Sequence, residues 1–134
     1  MASVFTKIIE GEFPARFVYR DEDVVAFLTI NPVVPGHTLV VPVAEVEHWI
    51  DLEPSVLSKL MNVSSSVAKA ISQAFPCEKV AASIVGLEVP HVHVHLMPIN
   101  SMEDMDFAKA DPSPSPEFLD AVQAKIIASL SEQA

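Results

Sequence analysis

His91, His93 and His95 alternate with Val92, Val94 and Leu96, so three of the chain's five histidines fall within five positions. Successive side chains of an extended strand point to opposite faces, which gathers the imidazoles in one row and the apolar groups in the other. An ordinary imidazole has a pKa near 6.5, so at neutral pH it is available as nucleophile, proton carrier or metal ligand. Two plain readings compete with two chemical ones. Three structural histidines would each need their own polar partners once buried; an exposed polar face would need none. A metal site would use two of the three rings, because His91 and His95 stand about 13 Å apart at a rise near 3.3 Å per residue, and it would need further ligands from elsewhere. In nucleophilic catalysis, one ring attacks phosphorus while its neighbours position it and bind phosphate oxygens. The middle ring, His93, has a partner on each side and suits the attacking role.

The surrounding charges say how phosphate would be held. Between Lys79 and Asn100 there is no arginine and no second lysine. Binding would rely on imidazole donors and on backbone N–H groups, expected around Gly86 to Val89, in the kind of concavity that holds anions without a basic patch.

The elements that must position this row can be read from periodicity. Phe5, Ile8 and Ile9 lie at helical spacing before Gly11, which predicts a short N-terminal helix with a glycine stop. FVYR and VVAFL flank the charged turn RDED and predict a hairpin; TLVVPV predicts a third strand. From Pro54 to Phe75, Leu57, Leu60, Val67, Ile71 and Phe75 form one stripe of a main helix that Pro76 ends. KVAASIVG and HVHVHLM read as strands joined by a tight loop near Gly86. DPSPSP is a connector, after which Ser115 as N-cap and Pro116 at the first helical position open a last helix with Leu119, Val122, Ile126 and Leu130 on one face. The sum is an α+β domain, an antiparallel sheet with helices packed against it.

Composition bounds the rest. At 134 residues, half of them hydrophobic, the chain is expected to form one domain with a sizeable core. Eighteen acidic against eight basic residues give a net charge of −10, which excludes a nucleic-acid binder that works by neutralising phosphates. No apolar run is long enough for a bilayer. The start, MASVFTKIIEGEF, does not read as a signal peptide, and Cys77 is the lone cysteine, so a cytoplasmic protein is expected.

The segment HVHVHLMP resembles the His-φ-His-φ-His-φ-φ signature of the histidine triad (HIT) family of nucleotide hydrolases and transferases, in particular its Hint-like branch. The likeness extends over Lys7 to Pro42, KIIEGEFPARFVYRDEDVVAFLTINPVVPGHTLVVP, and in all spans about Val4 to Ile99. It implies a HIT domain over residues 1–100, with 101–134 a proline-rich connector and an extra C-terminal helix packed on the same domain. It also implies a homodimer whose two five-stranded sheets join, a purine nucleotide as ligand, and a covalent nucleotidyl-histidine intermediate. By position His93 would be the nucleophile, His95 would contact phosphate, His91 would support the site and His37 would help orient the nucleophile. Val4, Ile8, Phe27 and Ile30 would line the purine pocket, with Thr29 and Val89 among the nucleotide contacts; the plain alternative for the four apolar residues is core.

Three positions depart from the family pattern. Some Hint-like members carry a Cys-x-x-Cys pair that helps bind zinc, where this chain has Ser3-Val4-Phe5-Thr6; hydroxyls replace thiolates poorly, so no structural zinc and no cofactor is expected. Thr29 stands where an aspartate commonly grips the ribose. Glu88 stands beside the leaving group where Ser or Thr is usual, after Leu87 in place of Gln; if desolvation kept its carboxyl protonated, it would be a candidate general acid. His48 matches no triad position and reads as a surface residue. The leading expectation is a nucleotide phosphoramidate hydrolase or nucleotidyl transferase acting on derivatives of a nucleoside monophosphate such as AMP. The rival is a nucleotide-binding protein of the same family with little or no turnover.

Overall fold

The computed structural model describes residues 2–133. Helix α1 (Val4–Ile9) starts at Ser3, whose side chain accepts the Thr6 N–H, and ends before Gly11 at φ +89°. Strands β1 (Phe17–Arg20), β2 (Val24–Leu28) and β3 (Thr38–Pro42) follow, then helix α2 (Pro54–Ala74), strands β4 (Lys79–Ser83) and β5 (Val94–Ile99), and helix α3 (Pro116–Glu132). The strands form one antiparallel sheet in the order β1-β2-β3-β5-β4. The fold is the expected α+β class.

Alternation along the strands divides the core between the two faces of the sheet. Val24, Ala26, Leu28, Val40, Val94 and Leu96 join Leu60, Val67 and Ile71 of α2 and Leu119, Val122 and Ile126 of α3 in the larger cluster. Val25, Phe27, Leu39 and Val41 point the other way and pack with Phe5 of α1. Helix α3 is also tied to β1, through Gln123 Nε2–H donating to the Phe17 carbonyl at 2.8 Å.

Two local expectations are corrected. The strand expected from His91 pairs only from Val94 onward. The backbone groups just before it are committed elsewhere: the Val92 N–H donates to Val46, and the His91 carbonyl is taken by an imidazole. The loop near Gly86 is long rather than tight, running from Ile84 to His93. Residues 102–109, with no expected structure, form two 3-10 turns, Met102–Met105 and Phe107–Lys109. The Asp104 carboxylate draws in the N–H groups of Asn100 and Ser101, and Asp106 caps the second turn through the Ala108 N–H.

Candidate active site

His91 is fully buried. Its Nε2 lies 2.7 Å from the Pro42 carbonyl, and its Nδ1 lies 2.7 Å from Ser3 Oγ. A carbonyl only accepts, so Nε2 carries the proton and Nδ1 receives the serine O–H. The Ser3 N–H and the Thr6 hydroxyl donate in turn to Glu45 Oε1 at 2.7 and 2.6 Å. Those two donors, the Ser3 amide first, hold the Glu45 carboxyl at about 2. Burial lowers the His91 pKa, while the Pro42 carbonyl and the Glu45 charge oppose that shift. Both ring nitrogens are therefore occupied. This corner also fails to fit zinc, because its hydroxyls and its imidazole are already bonded to one another. Among the described residues no group of three or more His, Cys, Asp and Glu side chains is arranged for a metal.

His93 is held differently. Its Nδ1 lies 2.8 Å from the His91 carbonyl, so Nδ1 carries the proton and Nε2 keeps its lone pair. Among the described residues nothing hydrogen-bonds that Nε2. Phe5 meets the ring edge-on at 4.8 Å between centroids, which limits its swing. Burial lowers the His93 pKa, opposed by the His91 carbonyl and by the charge of Glu88.

His95 and His37 form a second relay. The Val33 N–H donates to His37 Nδ1 at 3.1 Å, so His37 carries its proton on Nε2, which lies 3.0 Å from His95 Nδ1. His95 thereby becomes an acceptor at Nδ1 and keeps an N–H at Nε2. His37 thus hydrogen-bonds His95, the ring expected to contact phosphate, and not the expected nucleophile His93. Its own place depends on Gly36 at φ +96°, where a Cβ would come within 3.0 Å of the Phe75 ring. Burial, and then neighbouring imidazoles, depress His37 to about 3 and His95 to about 4.

His93 and His95 open on a cavity of about 280 Å³, also lined by Val85, Gly86, Leu87, Glu88 and Phe107. The amide hydrogens of Gly86, Leu87, Glu88 and Val89 reach no acceptor among the described residues. The site thus presents a His93 ring nitrogen with its lone pair free, an imidazole N–H on His95 beside it, and a lining loop, Gly86 to Glu88, whose amides have no acceptor among the described residues. That set suits attack on an electrophile bearing anionic oxygens.

The other expected residues are not all gathered here. Glu88 lines the cavity but is exposed, whereas the general-acid expectation rested on its burial. Phe27 is buried edge-on against Phe5 and Phe17. Ile8 and Val89 are half-buried against the same cluster. Val4 is 41% exposed and Ile30 70% exposed. Thr29 and Ile30 line a separate cavity with Arg16 and Asp120. The Thr29 hydroxyl is turned back to accept the Asn31 N–H at 3.2 Å, an ST turn. His48 is exposed, as expected, with its ring toward the Ile50 N–H.

Sequence reasoning missed three participants. Phe107 stacks edge-on against His95 at 4.9 Å and against His37 at 6.1 Å. The pattern Asp106-Phe107, a capping acid before an aromatic, is the signal that a turn stands there. Glu45 and the Pro42 carbonyl left no local signal, since they matter only through partners far away in sequence.

The HIT domain family profile matches residues 10–102. An uncharacterized HIT-like protein of Methanocaldococcus jannaschii is 39% identical over 99 residues, covering 71% of this chain and 77% of its own. The asymmetrical bis(5'-nucleosyl)-tetraphosphatase of Schizosaccharomyces pombe is 34% identical over 111 residues, 75% of this chain and 58% of that protein. A hypothetical histidine triad nucleotide-binding protein of Sulfolobus tokodaii has a solved structure that superposes with a TM-score of 0.85 at 28% identity, covering 96% of this chain and 91% of that one.

Proposed function

The chain belongs to the HIT domain family, and on that premise we propose that it is a nucleotide phosphoramidate hydrolase or nucleotidyl transferase of the Hint-like branch. Its substrate is a nucleoside monophosphate, AMP in the first instance, joined to an amine. His93 Nε2 attacks the α-phosphorus and the bond from phosphorus to the leaving nitrogen breaks. The amine departs with a proton taken from solvent at the cavity mouth. The His91 carbonyl, already bonded to Nδ1–H, supports the positive charge that grows on the ring. His95 Nε2–H and the amides of Gly86 to Val89 hold the non-bridging oxygens. Water then attacks phosphorus and His93 leaves, so two smaller barriers replace one displacement. In-line transfer of this kind asks the protein mainly for positioning and charge stabilisation.

The observation that carries this reading is the 2.8 Å bond from His93 Nδ1–H to the His91 carbonyl, because it fixes the tautomer that can attack. Strand β4 ends the sheet, and the working unit is a homodimer joined along that edge. Residues 101–134 belong to the same domain, and the protein works in the cytoplasm.

The test is a rapid quench with adenosine 5'-phosphoramidate followed by peptide mass spectrometry. A nucleotidyl adduct on the His93 peptide, absent in His93→Ala, is the expected result. Saturable binding with no adduct at any quench time would overturn the catalytic reading and leave a nucleotide-binding protein without turnover.

A further inference from the structure

Among the described residues, Glu88 is the only charged side chain lining the cavity that His93 and His95 open on. The walls around it are apolar: Val85, Leu87 and the ring of Phe107. From Lys79 to Lys109 the chain has no lysine or arginine between, while Glu88, Glu103, Asp104 and Asp106 fall in that span. Phe107 sits on the turn that Asp106 caps. The cavity wall beside the nucleophile is therefore apolar apart from the one carboxylate of Glu88. An in-line attack by His93 Nε2 sends the leaving group directly away from that nitrogen. It leaves toward those walls and not back into the imidazole row.

Resting on the phosphoramidate reading, we propose that Glu88 and the apolar wall around it select leaving groups that carry a cation on an aliphatic or aromatic chain, and reject polyphosphate leaving groups. A protonated ammonium beyond a few methylenes meets the Glu88 carboxylate while the methylenes lie on Leu87 and Phe107. A polyphosphate leaving group brings several negative charges to the same place, with no cation to offset them. Such selection gives Glu88 a role that needs no proton on its carboxyl and suits its exposure.

Two adenosine 5'-phosphoramidates with matched scissile amines decide the matter, one of hexylamine and one of 1,6-diaminohexane. Wild-type protein is expected to favour the aminohexyl compound in kcat/KM by about fivefold at low salt, the upper range for one exposed ion pair. Glu88→Gln brings the ratio close to one, and 0.5 M NaCl does the same to the wild type. Diadenosine tetraphosphate is the poorest of the three substrates and gains relative to the others in Glu88→Gln. A wild-type ratio of one, or a preference that survives Glu88→Gln, overturns the proposal. A general-acid role for Glu88 predicts equal slowing of both compounds, since their scissile nitrogens are alike, and that outcome also overturns it. If neither compound is cleaved, the catalytic reading fails separately, and the same ratio measured as Kd by calorimetry decides the present one.

Discussion

His91 and His93 are two residues apart, of one type and both buried, at 0% and 6% exposure, yet their surroundings differ. The corner around His91 spends both ring nitrogens on the protein, one on the Pro42 carbonyl and one on Ser3. The cavity around His93 and His95 spends one nitrogen of each ring, Nδ1 in both, on the His91 carbonyl and on His37. What remains in the cavity is a lone pair on one ring and an N–H on the next. The division of labour follows from the partner atom each ring meets and not from its place in the repeat. A carbonyl at Nδ1 makes Nε2 a nucleophile, whereas an N–H at Nδ1 makes Nε2 a donor. Ser3 and Pro42 together leave nothing over for chemistry.

The sharpest way to break this contrast is to delete one ring at a time. His93→Ala is expected to lower kcat/KM by about 10⁴-fold, on the scale of losing a catalytic nucleophile or its partner, with a small change in the urea midpoint. His91→Ala reverses the balance. Removing a buried ring and leaving the Ser3 hydroxyl and Pro42 carbonyl without their partner costs roughly 3 kcal/mol of stability, read as a fall in the urea midpoint. The backbone carbonyl that fixes the His93 tautomer is still present in that variant, so the activity of the folded fraction falls far less than in His93→Ala. Equal activity losses in the two variants would erase the distinction between corner and cavity.

Much of this arrangement was legible before the fold was seen. The period-2 alternation from His91 to Leu96 put the rings on one face, and the Ser115-Pro116 pair marked the start of α3 where the helix begins. The antiparallel sheet followed from the hairpin pattern of β1 and β2. What could not be read is everything that depends on distant partners. Ser3 lies 88 residues from His91, and Pro42 lies 49 residues away; no local period encodes those meetings. Phe27 illustrates the same limit from the other side, since a phenylalanine on a strand fits a base pocket or a core equally well, and its contact with Phe5 could not be read from local sequence. The family resemblance implies that His37 helps orient the nucleophile. The β3–β5 register, which sets Leu39 opposite His95 and Thr38 opposite Leu96, brings its ring to His95 instead.

The cavity rings also differ from ordinary histidines in how they respond to acid. His37 and His95 are depressed to about 3 and about 4 from an ordinary value of 6.5, chiefly by burial. In the unfolded chain both take up protons as pH falls through 6.5, while the folded protein refuses them. The stability they contribute is therefore complete above about pH 6.5 and drains away as pH falls toward 4. A loss of roughly 4 kcal/mol between pH 7 and pH 5 is expected in urea unfolding, about half from each ring, with a shallower slope in His95→Asn. The lowered His93 pKa places the acid limb of kcat/KM below 6.5. A stability curve flat from pH 7 to pH 5 would mean that these rings titrate as freely as those in the unfolded chain.

The smallest test probes the corner without removing its ring. Ser3→Ala takes away the hydroxyl that donates to His91 Nδ1 and accepts the Thr6 N–H at the start of α1. One buried acceptor and one helix-end donor lose their partner, a cost of about 1–2 kcal/mol. The Nε2–H bond to Pro42 survives, so the ring keeps its place and the His91 carbonyl still faces His93 Nδ1. The urea midpoint should therefore drop while kcat/KM changes by less than about threefold, or about 0.6 kcal/mol. If kcat/KM fell instead by a hundredfold with stability unmoved, the corner would belong to the chemistry, and the separation between a ring that builds the site and a ring that works in it would be wrong.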